Sequence, residues 1–299
     1  MDIRANNVVI TGGSSGIGKA IGRLLAKHGA NVFIVARNRQ RLDEALLEID
    51  AERVAEEQKF DAFSADVTDY EDVESAMAAI EKTYGGTEVL INSAGIARPG
   101  YFQELPISDF TEQIKTNYLG TVFATKAVVP GMIARGSGYI VNISSIAGFL
   151  GLFGYTAYGA SKFAVLGLSD ALRIELKPHN IGVSVVLPSD TDTPQLEQDR
   201  SLQPLETKIC EAILKPEELK RPGEFLAYWL ARAVSDGGNP LDVDEVAEAV
   251  VDGIRQDRYL IVPDRTLGLA YRLRGITVPL ANWAFDRLVP VARRQAQAS

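Results

Sequence analysis

Cysteine and histidine are nearly missing from this chain. Cys210 stands alone among 299 residues, beside two histidines, His28 and His179. That excludes a disulfide framework and leaves too few soft donors for a structural zinc site, so no metal is expected. Positive charge is not in excess either: the formal net charge is −8 and the isoelectric point lies near 5.0, the reverse of the basic footprint that nucleic acid selects. Long hydrophobic runs are absent. No apolar stretch approaches the length that spans a bilayer as a helix, and the opening MDIRANN carries no secretory core; a cytoplasmic location is the expectation. Neither an internal repeat nor a low-complexity linker divides the sequence.

What is present suits one large α/β domain: 46% hydrophobic residues in a chain long enough to bury a sizeable core. Short apolar runs alternate with amphipathic helical stretches. NVVIT (7–11), NVFIVA (31–36), KFDAFSADVTD (59–69), VLINSAG (89–95), YIVNIS (139–144), GVSVVLPSDTDTP (182–194) and YLIVP (259–263) are expected as strands or strands with their outlets. Helices are expected at 41–58, 107–135, from about Tyr158 to Lys177, and at 242–254. The alternation predicts a Rossmann-like, doubly wound, mostly parallel seven-stranded sheet with helices on both faces. Residues 190–240 interrupt it with several prolines and the turn DGGNP; an insertion there is either a substrate loop or irregular surface.

Two stretches carry chemistry. TGGSSGIG at 11–18 follows a strand and leads into a helix. Glycine there allows a tight turn and close approach of backbone to a pyrophosphate, which the helix N-terminus favours; Gly12, Ser14, Ser15, Gly16, Ile17 and Gly18 are the candidates. The second strand ends in Arg37, with Arg41 beyond it. A carboxylate at that place would hold a ribose 2′-hydroxyl, whereas a guanidinium can pair with a 2′-phosphate, which favours NADPH over NADH; the alternative is a solvated basic helix start. Asp66 is placed to accept from the adenine amino group with Val67 on the ring, or to cap the next helix. Asn92, Ala94 and Gly95 lie at the carboxyl end of the fourth strand, where open parallel sheets bind ligands.

The second stretch is SIAGFLGLFGYTAYGASK, 145–162. Tyr158 and Lys162, four apart, share one face of a helix, so the cation can lower the tyrosine pKa, and Ser145 can bond the same substrate oxygen. A hydroxyl, a phenol and an ammonium so arranged suit carbonyl reduction or alcohol oxidation. Asn117, inside the long helix, is either a tolerated polar residue or the holder of a water that relays protons to Lys162.

TGGSSGIG, NSAG, Asn117, Ser145 and YGASK, in this order and spacing, resemble the short-chain dehydrogenase/reductase family across roughly residues 6–265. The resemblance implies a nicotinamide cofactor and gives Ser145 and Tyr158 the substrate oxygen, Lys162 the nicotinamide ribose, and Asn117 the proton relay. It also extends the cofactor site to Pro188, Thr191 and Thr193 and implies a dimer or tetramer formed through the helices of Asn117 and Tyr158. LGLFGYTAYGASKFAVLGL, ELKPHN and PSDTDTP followed by PLET (204–207) are similar to the 3-ketodihydrosphingosine reductase branch of that family. This likeness implies NADPH-dependent reduction of a long-chain sphingoid ketone, 3-ketosphinganine, to sphinganine. The same catalytic residues would serve a steroid, an acyl thioester or a small ketone, and a non-catalytic NADP-binding regulator would need none of them.

A domain over 1–265 then leaves a tail, 266–299. Between Arg265 and Arg294 there are six arginines against one acid, Asp286, interleaved with leucines and aromatics. Such a basic amphipathic segment either lies at an anionic membrane surface or packs on its own domain or a second subunit.

Overall fold

A computed structural model describes residues 3–204 and 240–283, together with residues 286 and 289. The PLET residues after Pro204, the rest of the expected substrate loop up to 239, and most of the tail beyond 283 lie outside these described residues.

Asn7–Thr11 (β1) is buried along its whole length, as a central parallel strand covered on both faces must be. It pairs with Asn31–Ala36 (β2) on one side and Val89–Asn92 (β4) on the other. The sheet continues outward through Phe60–Ser64 (β3) beyond β2, and through Gly138–Ile143 (β5), Ile181–Val186 (β6) and Leu260–Ile261 (β7) beyond β4. The order is β3-β2-β1-β4-β5-β6-β7, every pair parallel. This is the expected doubly wound sheet, and its order reverses between β1 and β4, where a crevice opens at the carboxyl ends.

One face of the sheet is covered by Gly16–Lys27 (α1), Arg39–Asp50 (α2) and, from near the C-terminus, Val243–Arg255. Ile21, Leu25, Ile49, Val250 and Ile254 pack there against Val8, Ile10 and Ile34. Tyr70–Tyr84 (α3) and the run 107–135 cover the other face, with Val73, Ile80, Val128 and Met132 against Val9, Phe33, Leu90 and Ile140.

The run 107–135 is one helical stretch, as expected, but it is not uniformly α. Ile107–Gln113 (α4) and Gly120–Arg135 (α5) are joined by a π-helical turn at Ile114–Leu119. The widened turn carries Gln113 and Asn117 toward the backbone after β4: Gln113 Oε1 accepts from Arg98 N at 3.0 Å, and Asn117 Oδ1 from Ile96 N at 2.8 Å. Single π-turns gather at functional positions, and hydropathy cannot register them because the buried stripe continues through.

Thr156–Leu176 (α6) follows β5, Pro194–Leu202 (α7) follows β6, the helix Val243–Arg255 (α8) precedes β7, and Arg265–Arg272 (α9) follows it. The strand outlets beyond β3, β4 and β6 are loops rather than extended sheet. The helix expected over 41–58 starts at Arg39 and ends at Asp50, because the carboxamide of Gln58 accepts from Val54 N and Ala55 N and closes residues 54–58 into a turn.

The tail folds back. Leu267 and Ala281 are buried, and Tyr271 and Val278 pack partly, against Ile146, Phe149, Leu166 and Leu187. Among the described residues no helix is long and apolar enough to cross a membrane.

Candidate active site

The glycine-rich turn between β1 and α1 closes because glycine takes left-handed backbone at Gly12 (φ +71°) and Gly16 (φ +50°). A Cβ at Gly12 would stand 2.7 Å from Ala94 Cα, and one at Gly18 would stand 2.6 Å from the Gly12 carbonyl oxygen. Both glycines therefore allow close packing of loop, helix and β4. The N-cap residue of α1, Ser15, makes no side-chain capping bond, and the first turn holds no acid, so the positive end of the helix faces the crevice unopposed.

A cavity of about 700 Å³ runs from this turn across the sheet. Gly12, Ser14, Ser15, Gly16 and Ile17 line one end with Arg37, Arg41 and Val67; Ala94 and Gly95 form the floor; and Ser145, Tyr158, Lys162, Pro188, Thr191 and Thr193 close the other end. Most of the residues expected at the site thus share one space. Arg37 is 66% exposed and lies 3.8 Å from Asp66 Oδ2. The intervening Arg39 turns away, pairing with Asp43 and donating to the Ala62 carbonyl.

Four expected residues stand outside the lining. Gly18 packs beneath the turn. Asp66 accepts from Thr68 N and Thr68 Oγ1, and the α3 cap is Asp69, which accepts from Glu71 N and Asp72 N; the capping role considered for Asp66 falls to the residue directly before the helix. Asn92 is buried and donates to Asn142 and Thr125, a network that joins β4, β5 and α5. Asn117 donates to the Ile96 carbonyl at 2.9 Å and to Ser161 Oγ at 2.8 Å, which commits its amide to holding the β4 outlet against α6.

Lys162 is 5% exposed, and its Nζ donates to the Ile143 carbonyl at 2.9 Å. A Cβ on Gly95 would lie 3.4 Å from this Nζ and 3.3 Å from Asn117 Oδ1, so the absence of a side chain at 95 keeps the ammonium accessible. Ser144, next to the predicted serine, donates to the Lys162 carbonyl and ties the end of β5 to α6. Ser145 Oγ accepts from Ala147 N at 3.2 Å, and its hydroxyl lies near enough to the Tyr158 phenol to favour phenolate.

The electrostatics differ from the expectation. The Tyr158 phenol lies well above its ordinary value, first because burial disfavours phenolate, and further because Asp199 and Asp190 are near; only the Ser145 hydroxyl opposes this. Lys162 does not reverse it. Its Nζ lies 5.6 Å from the tyrosine ring centroid, over the face, and burial pushes its own pKa down to about 8. Desolvation outweighs a cation held at the ring rather than at the oxygen. Tyr158 is accordingly a neutral acid, able to give a proton.

Sequence reasoning missed several lining groups. Tyr155 stacks edgewise on Tyr158 with centroids 6.0 Å apart and accepts a hydrogen bond from Gln203. Asp190, Ser189 and Asp199 also face the cavity. The spacing of Leu196 and Asp199, three apart on one buried face of α7, was the available signal: a carboxylate at a core position.

The residues fit a dinucleotide. The glycine turn is a cradle that any Cβ would fill, a helix N-terminus points into it, and two guanidinium groups line the cavity beyond β2.

Residues 6–203 match the short chain dehydrogenase family. A mouse 3-ketodihydrosphingosine reductase is 43% identical over 219 residues, 72% of this chain and 66% of the mouse protein's length. A Dictyostelium discoideum 3-ketodihydrosphingosine reductase is 35% identical over 97% of this chain and 84% of its own. Among solved structures, a short-chain dehydrogenase from Sphingobium yanoikuyae in complex with NADPH is similar, with a TM-score of 0.69, 28% identity, and coverage of 91% of this chain and 94% of that one.

Proposed function

The chain belongs to the short-chain dehydrogenase family, and from that footing we propose that it reduces 3-ketosphinganine to sphinganine with NADPH, as a step of sphingolipid synthesis. The observation that carries the chemistry is the single cavity joining the glycine turn and Arg37 to Ser145, Tyr158 and Lys162. What supports the substrate is the likeness to proteins of that name over most of this chain.

In this reading the turn at 12–18 and the N-terminus of α1 hold the pyrophosphate, and Arg37 and Arg41 pair with the 2′-phosphate. Bound NADPH supplies the hydride. Ser145 donates a hydrogen bond to the ketone oxygen and fixes it beside the phenol. Tyr158, neutral at working pH, gives its proton to that oxygen as negative charge develops there. Lys162, lying over the ring, offsets the phenolate charge left behind. Asn117 acts through position, keeping the β4 outlet, Gly95 and α6 in register. The test is NADPH oxidation, followed optically, with 3-ketosphinganine in detergent beside NADH and a panel of steroid and acyl ketones. Turnover confined to the sphingoid ketone with NADPH is expected; turnover of the other ketones alone would discard the sphingolipid assignment.

We further propose that the enzyme is cytoplasmic, working peripherally at a membrane surface, and that it forms a dimer or tetramer. What supports the first is the outer face of the tail, where Leu269, Leu273, Ile276 and Leu280 stay exposed beside Arg272 and Arg274, while the inner face packs on the domain. Sedimentation with anionic vesicles, abolished by replacing Leu269 and Ile276 with serine, is the expected result. What supports the second is Ile107, Ile133, Phe163 and Ile174, exposed on the helices that carry Asn117 and Tyr158. Sedimentation equilibrium measures it directly.

A further inference from the structure

The cavity contains a carboxyl group that the chemistry above does not use. Asp199 is 7% exposed, lines the cavity with Tyr158 and Ser145, and its Oδ1 has no hydrogen-bond partner among the described residues. A buried carboxylate without a counter-ion is costly, so such a group either stays neutral or is paired by a charge brought to it. Arg200, adjacent in sequence, points instead toward Asp190, 4.0 Å away. The carboxyl is also close enough to act electrostatically on the Tyr158 phenol, and burial pushes its own pKa up to about 7, with the Gln195 side chain in part opposing this.

We propose that Asp199 is the binding group for the substrate's ammonium, making the enzyme selective for ketones that carry a primary amine on the carbon next to the carbonyl. This rests on the proposed reduction of a sphingoid ketone. In such a substrate the nitrogen cannot be far from the oxygen that Tyr158 and Ser145 hold, so its counter-charge must line the same cavity. Asp199 lines it and is near enough to act electrostatically on the phenol. An ammonium would bond the unpartnered Oδ1, restore the carboxylate, and fix which face of the carbonyl meets the hydride. The long apolar chain adds affinity but no orientation at the reacting carbon.

Two substrates separate this from a structural role: 3-ketosphinganine and the same long-chain ketone lacking the amino group, each reduced by the wild-type protein and by Asp199→Asn. A charge-assisted hydrogen bond lost from a buried site corresponds to a roughly 10- to 100-fold loss in kcat/KM. The expected result is that loss on the amino ketone, mainly in KM, and at least tenfold less loss on the ketone without nitrogen. Equal losses on both, or none on the amino ketone, would overturn the inference. A measurement that needs no variant is the N-acetylated ketone, which the wild-type protein should turn over at least tenfold less efficiently; equal turnover would overturn the inference. Failure of the wild-type protein to reduce either long-chain ketone would remove the proposed function, and this inference with it.

Discussion

Asn117→Ala should destabilise the protein by roughly 2–5 kcal/mol, without any change in the apolar core. The side chain is 1% exposed and makes bonds at 2.8 Å with Ile96 N, 2.9 Å with the Ile96 carbonyl and 2.8 Å with Ser161 Oγ. Each buried group left without a partner costs about 1–3 kcal/mol. Ser161 keeps the Tyr158 carbonyl as its acceptor at 2.6 Å, so the two Ile96 groups carry most of the loss. The figure is a large part of the ~5–15 kcal/mol that holds a domain folded. Asn117→Asp should be no better, because a carboxylate still accepts from Ile96 N but presents its second oxygen to the Ile96 carbonyl and cannot donate to Ser161. Equilibrium urea unfolding of the three proteins measures the difference. A change below about 0.5 kcal/mol in either variant, the range of ordinary surface substitutions, would refute this account of the π-turn as a staple between the β4 outlet and α6.

Three further outcomes follow from the site. Tyr158→Phe should keep NADPH affinity within about twofold and lose roughly 10²–10⁴ in kcat, since Tyr158 is the acid in the proposed reaction; fluorescence titration and steady-state rates separate the two. Arg37→Glu should weaken NADPH and strengthen NADH, lowering the ratio of their kcat/KM values by about tenfold or more at low salt, because Asp66 already places one carboxylate 3.8 Å from that guanidinium; an unchanged ratio would move the 2′-phosphate elsewhere. Asp199→Asn should stabilise the protein by roughly 2–4 kcal/mol at pH 8 and by much less at pH 4. The carboxyl is raised from 3.8 to about 7, so the folded chain binds more protons between those values and the burial cost, full above pH 7, disappears below 4. Urea unfolding at both pH values checks this, and an equal difference at both would contradict it.

The sheet was legible because each strand is a short, nearly continuous apolar run, NVVIT and NVFIVA matching β1 and β2 residue for residue. Strand ends were less so: SAG after β4 is small enough to continue a strand by pattern, but the strand ends at Asn92 and Ser93, Ala94 and Gly95 line the cavity instead. The pair Tyr158 and Lys162 was visible as a four-residue spacing, and its chemistry was not. Whether the cation lowers the phenol depends on where it sits and how far the phenol is desolvated, and Lys162 lies over the ring face while Tyr155 packs on the ring edgewise. The π-turn left no mark in the hydropathy because Gln113 and Asn117, the residues it serves, are polar residues bonded to backbone that only the folded chain brings near. Asp199 lay in a stretch that reads as irregular, where its three-residue spacing from Leu196 marks a buried face only once α7 is known to be a helix.

The central claim, that this cavity delivers a hydride to a sphingoid ketone, is tested most directly by incubating the protein with 3-ketosphinganine and NADPH carrying deuterium at both C4 positions, and analysing the product by mass spectrometry. The account predicts sphinganine carrying one deuterium, bound to the former carbonyl carbon, and no labelled product from Tyr158→Phe on the same timescale. Sphinganine without the label, or no reduced product from the wild-type protein, would contradict it.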